Sequence, residues 1–135
     1  MLQPELNFAT HQLFNFYFVE PDNLDYVAKR EKYTKLKDIK ECILNIGLLV
    51  RKPIFKSASI YLLGSVGPMI TNTETERLSK GFAFSDVLAV GFTFKVNKVT
   101  FDVRPNFRHV SNAGLQKNNS GYNTKNIDFG VLFPL

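Results

Sequence analysis

The run FAFSDVLAVGFTFKV, Phe82 to Val96, decides how this chain folds. Phe82, Phe84, Asp86, Leu88, Val90, Phe92, Phe94 and Val96 fall on one parity; Ala83, Ser85, Val87, Ala89, Gly91, Thr93 and Lys95 fall on the other. Successive side chains of a strand point to opposite faces, so the run is predicted as a strand with one large apolar face and one small, partly polar face. A soluble sandwich or lipocalin-like barrel would turn the Phe face inward. The small residues opposite fit a crowded barrel interior better, which leaves the Phe face for lipid.

The neighbouring runs repeat the design. In VTFDVRPNFRHVS, Val99, Phe101, Val103, Pro105 and Phe107 oppose Thr100, Asp102, Arg104, Asn106 and Arg108. In ECILNIGLLVRK, Cys42, Leu44, Ile46, Leu48 and Val50 oppose Asn45, Gly47 and Arg51. In NIDFGVLFPL, Ile127, Phe129, Val131, Phe133 and Leu135 oppose Asp128, Gly130, Leu132 and Pro134. KSASIYLLGSVGPMI and HQLFNFYFVE, with Phe14, Phe16 and Phe18 on one face, bring the expected strands to six; PELNF reads as the end of another. No segment reads as an amphipathic helix.

The links alternate in length. Asn97-Lys98 and the Lys52–Phe55 segment are short; the segments Pro21–Lys40, Thr71–Lys80 and Asn112–Thr124 are long and polar. Long strands joined by short turns at one end and long loops at the other are the signature of a transmembrane β-barrel. The expected class is therefore all-β, an antiparallel transmembrane barrel formed as one domain over residues 1–135.

Composition agrees. Thirteen Phe and five Tyr, with no Trp, favour strands. The net charge of +5 suits an anionic partner such as a phosphorylated lipid. Nucleic acid is not expected, because the aromatics alternate with apolar residues and no recognised motif is present. The single Cys42 cannot form an intramolecular disulfide. No apolar run is long enough for a transmembrane helix. The start, MLQPELNF, does not read as a signal peptide, and six strands leave a barrel short, so one or two strands and the export signal are expected to lie upstream.

The polar residues on the lipid-facing parity are the candidates for chemistry. His109 and Ser111 share the parity of Phe101 and Phe107, and Asn123 shares that of Ile127. A two-residue turn at Asn97-Lys98 sets Asp86 directly across from His109. Opposed side chains lie about 5 Å apart at Cβ, so an acid, an imidazole and a hydroxyl converge, the set that activates a serine. A bulge at Pro105 would break this register and turn His109 inward. The bland reading of the same residues is a polar strand end at the membrane interface, where polarity costs little.

The segments FRHVSNAGLQKNNSGYN and SKGFAFSDVLAVGFTF resemble the outer-membrane lipid A 3-O-deacylases (PagL type, also called acyloxyacyl hydrolases). The resemblance is carried by Lys80 to Leu135 and, less strongly, by Ser59 to Ile70. It implies a barrel of about eight strands in the outer membrane of a Gram-negative bacterium. It also implies a serine-hydrolase site on the outer wall that removes the 3-O-linked acyl chain of lipid A. By that resemblance Ser111 is the nucleophile, His109 the general base, and Asn119 an oxyanion donor, with Asn112 as a second candidate donor.

The sequence departs from the family at the third triad member, a Glu there and Asn123 here. Asn can hold a histidine tautomer but supplies no charge, so Asn123 is expected to orient His109 and Asp86 to contribute the acid. No cofactor and no metal are implied. The expected partner is lipid A or lipopolysaccharide, and a homodimer is compatible with the fold. The basic segment with Lys29, Arg30, Lys32, Lys35, Lys37 and Lys40 is expected to face lipid A phosphates or to be a solvated loop. Two other functions remain open: a barrel of this fold with a weak or lost triad, and a soluble barrel holding an apolar ligand.

Overall fold

The computed structural model describes residues 1–22 and 24–133. It contains β1 (Leu2–His11), α1 (Tyr26–Thr34), β2 (Lys37–Phe55), β3 (Ala58–Thr71), β4 (Gly81–Val96), β5 (Val99–Ser111) and β6 (Tyr122–Leu132). The strands form one sheet in the order β1-β2-β3-β4-β5-β6, each antiparallel to the next. The sheet curls into a half-barrel. The described residues hold six strands, the number expected of this chain, against the eight or so that the resemblance implies for a whole barrel, and β1 and β6 each have one neighbour. Pro134 and Leu135, expected to continue the last strand, lie outside the described residues.

The faces separate as a membrane barrel requires. Leu48, Leu62, Leu88, Phe107 and Phe129 are exposed on the outer wall. The arginines turn inward: Arg108 pairs with Glu41 at 2.7 Å and donates from Nε to Ser85 Oγ at 2.9 Å. The Tyr122 hydroxyl donates to the other oxygen of Glu41. Further along the lumen Arg104 meets Asp128 at 3.0 Å, and Tyr61 donates to Asp102 at 2.8 Å. A soluble barrel would reverse both faces; charges paired inside and bulky apolar groups outside fit lipid. The small interior residues also have a packing role, since a Cβ on Gly91 would lie 1.9 Å from the Tyr61 ring.

The segment HQLFNFYFVE does not form the expected strand. β1 ends at His11, and the chain turns through a 3₁₀ turn at Phe16–Phe18, where Asn15 Oδ1 accepts from Tyr17 N at 3.0 Å. The strand lies earlier, over the residues that PELNF hinted at. The alternation of Phe14, Phe16 and Phe18 loses because Leu13 and Val19 bury against Tyr33. Leu13 N also donates to Tyr33 O at 2.9 Å.

Tyr33 sits on α1, a helix the polar basic segment concealed. Its residues are good helix formers, with a Glu31–Lys35 pair at 3.0 Å, but they give no apolar stripe to read.

Candidate active site

Two strand registers build the site. The β4–β5 turn is Asn97-Lys98, with Asn97 at φ 56°, a left-handed conformation that Asn tolerates. Its two-residue length fixes Val96 opposite Val99 and Asp86 opposite His109. The register is the same on both sides of Pro105, so no bulge turns His109 inward. On the other side, His109 pairs with Asn123 of β6. A single row across the outer wall thus reads Asp86, His109, Asn123.

Asn123 holds the imidazole. His109 Nδ1 lies 2.7 Å from Asn123 Oδ1. A side-chain carbonyl oxygen can only accept, so with Oδ1 turned to the ring this contact selects the tautomer that carries its proton on Nδ1 and leaves Nε2 open on the other side. Asp86 is exposed on the same wall one strand away. Ser111 stands one row closer to the long loops, opposite Phe84. Among the described residues no hydrogen bond joins Ser111 to His109.

Gly121 lies between the serine and the histidine. Its φ is +62°, and a Cβ there would sit 2.6 Å from Val110 O, 3.3 Å from His109 Cε1 and 3.4 Å from Ser111 Cβ. Any larger residue would be strained and would wedge between the two side chains. This role was not read from the sequence; a glycine after a polar run, immediately before a strand, was the available signal.

The loop after β5 fixes the two candidate oxyanion residues in different ways. Asn112 is fully buried. Its Nδ2 donates to Asn118 O at 2.8 Å and its Oδ1 accepts from Gly114 N at 3.1 Å. Its backbone N–H donates to Asn119 Oδ1 at 2.8 Å. Asn112 is buried and tied into the loop on both sides of its amide, so it exposes no donor at the wall; it is the brace of the loop. Asn119 is exposed, and with its oxygen committed to Asn112 its Nδ2 group is left free to donate among the described residues.

The β3–β4 loop closes over this turn. Leu78 forms a bridge with Asn119, Gly121 N donates to Arg77 O at 3.2 Å, and Arg77 Nη2 donates to Ser120 O at 3.3 Å. Glu74 then links the loop to α1. It pairs with Lys32 at 2.6 Å and accepts from the Tyr33 hydroxyl at 2.9 Å and Asn118 Nδ2 at 3.4 Å. The Lys32 ammonium, with help from the Tyr33 hydroxyl, holds the Glu74 carboxyl below the usual range. Burial, reinforced by Glu74, pushes the Tyr33 phenol up to about 12.

Below the row of His109 the outer wall is notched. Ile46, Gly64, Val66, Asp86, Leu88, Phe107 and His109 line a groove of about 500 Å³. Gly64 makes the dip, since a Cβ there would meet nothing within 4 Å. Among the described residues no cluster of His, Cys, Asp and Glu could hold a metal ion.

The family model for lipid A 3-O-deacylase (PagL) matches residues 25–131. β1 lies outside the match; Asp86, His109, Ser111, Asn119 and Asn123 lie inside it. No curated protein and no solved structure matches the chain.

Proposed function

The chain belongs to the lipid A 3-O-deacylase (PagL) family of Gram-negative outer-membrane barrels, and from that premise we propose that it is a serine esterase removing the 3-O-linked acyl chain of lipid A. The observation that carries the mechanism is the His109–Asn123 hydrogen bond on the lipid-facing wall. It leaves Nε2 as the base, one row from Ser111.

Ser111 Oγ attacks the acyl carbonyl carbon while His109 Nε2 takes the hydroxyl proton. Asn119 Nδ2 donates to the oxyanion that forms. Collapse breaks the ester C–O bond, and the imidazolium returns its proton to the departing sugar oxygen. A water, deprotonated by His109, then releases the acyl chain from Ser111. Asn123 fixes the tautomer throughout, and Asp86, opposite His109 on β4, supplies the negative charge that offsets the imidazolium. The acyl chain lies along the groove at Gly64. Lys40, exposed on β2, and Lys80, exposed just before β4, stand on the headgroup side and meet lipid A phosphates.

The open Ser111–His109 contact suits a site that tightens when substrate arrives. A barrel with a weak triad is the second reading, favoured by Asn123 in place of an acid. Mass spectrometry of lipid A from cells expressing the chain, wild type against Ser111→Ala, separates them. Loss of one 3-O-acyl chain in the wild type alone is expected; the same acyl pattern in both sinks the esterase.

A further inference from the structure

The short-turn end of the sheet carries cations and no acids. Arg51, Lys52 and Lys56 stand at the β2–β3 turn, and Lys95 and Lys98 at the β4–β5 turn; all are exposed. The two turns touch, since Lys95 N donates to Ser57 O at 2.7 Å. No Asp or Glu occurs from Cys42 to Thr73 or from Val87 to Phe101. Among the described residues none of the five cations lies within 4 Å of a carboxylate.

The whole net charge of the chain resides here. Without these five, the remaining Lys and Arg number 12, equal to the 12 Asp and Glu. The nearest acids face the lumen and are engaged there, Asp102 by Tyr61 and Asp128 by Arg104. Arg51 is partly held as well, over the Tyr61 ring at 5.6 Å. The four lysines have no such contact.

The cations adjoin an apolar belt. Phe55, Phe92, Phe94, Phe101 and Val96 are exposed beside them, with Phe94 and Phe101 stacked at 5.2 Å. Apolar rings beside a ring of unpaired lysines match a membrane boundary: acyl chains against the rings, headgroups against the ammonium groups. Short turns mark the periplasmic end of such barrels, where the leaflet is phospholipid.

We propose that Lys52, Lys56, Lys95 and Lys98 form a binding surface for anionic phospholipid headgroups in the periplasmic leaflet. A phosphodiester headgroup without a compensating amine fits; a zwitterionic one places its own cation against the lysines and gains less. The surface is distinct from the Ser111 site and does not depend on hydrolysis there.

The test uses the full chain reconstituted in phosphatidylcholine membranes. The association of spin-labelled phosphatidylglycerol is compared with that of spin-labelled phosphatidylcholine. The wild type is expected to prefer phosphatidylglycerol several-fold, with the preference falling as salt rises. The combined variant Lys52→Gln, Lys56→Gln, Lys95→Gln and Lys98→Gln is expected to lose most of that preference, keeping only the share that Lys40 and Lys80 give at the opposite end. Lys29→Gln with Lys35→Gln, at the opposite end, is expected to keep the wild-type preference. Equal binding of both lipids by the wild type overturns the proposal. So does a preference that survives the combined variant undiminished or disappears with Lys29 and Lys35. If the combined variant does not insert, Lys56→Gln alone decides by the same comparison.

Discussion

His109 and Asn123 face each other across the β5–β6 pair, with Nδ1 and Oδ1 2.7 Å apart. On the proposed mechanism the contact orients the base as a triad acid would and supplies no charge. If it sets the tautomer, Asn123→Ala lowers deacylation of lipid A by about 10² to 10⁴, the range over which loss of tautomer control acts in serine hydrolases. Asn123→Glu restores a carboxylate at the same edge and is expected to raise kcat above wild type. Rates on purified lipid A in detergent check both; a wild-type rate in Asn123→Ala removes Asn123 from the mechanism.

Asp86 is the β4 partner of His109 in the register, and among the described residues no ion pair within 4 Å joins the two. Removing its charge with shape retained, Asp86→Asn, is expected to lower kcat about tenfold, or about 1.4 kcal/mol of transition-state stabilisation, with little change in KM. Combining Asp86→Asn with Asn123→Glu is expected to recover most of that loss, because one acid suffices. Full activity in Asp86→Asn alone assigns the residue to the wall and not to the chemistry.

Gly121 tests the packing between base and nucleophile. Gly121→Ala puts a Cβ 2.6 Å from Val110 O at φ +62°. The backbone strain costs about 1–2 kcal/mol of stability, and the crowding of His109 and Ser111 lowers activity further. Urea unfolding followed by heat-modifiable gel mobility reads the first effect, and residual activity of the folded fraction reads the second. An unaffected rate would show that the serine and histidine meet elsewhere.

Glu74 makes the loop contact pH-dependent. Its carboxyl is held below the usual range by Lys32 and Tyr33, so the folded loop favours the charged form. That contribution is present above the ordinary carboxylate pKa of 4.5 and is lost as pH falls through the depressed folded value. Tyr33 works from the other side: its phenol is pushed from 10.0 up to about 12, so its contribution is present below 10 and lost as pH rises through about 12. Protection of Asn118 and α1 from hydrogen exchange, after division by the intrinsic rate at each pH, is expected to be greatest between these limits. Glu74→Gln is expected to flatten the acid limb; an unchanged acid limb would assign it to another carboxylate.

Much of the candidate site's geometry was legible before the structure. Parity put His109 and Ser111 on the lipid face, and a two-residue turn at Asn97-Lys98 implied the Asp86–His109 register that β4 and β5 adopt. The concern over Pro105 did not materialise, because the ladder continues at Ala89–Asn106 and Phe92–Val103 without a shift. Outside the sheet the reading was poorer. Phe14, Phe16 and Phe18 imitated a strand, while α1 showed no apolar stripe, because the partners that decide both, Leu13, Val19 and Tyr33, act across the loop.

The sequence by itself determined the wall. Period-two alternation is a local property, so it fixes which side chains share a face and, with the tight turn, which residue meets which across β4 and β5. Tertiary structure alone decided the loop chemistry. Asn112 and Asn119 are alike as letters, yet burial turned the first into a brace and left the Nδ2 of the second free. Gly121 became a spacer because β5 brought Val110, His109 and Ser111 around it. Such roles depend on which hydrogen-bonding groups are already taken and which space is already filled, and neither is written in the order of residues along one strand.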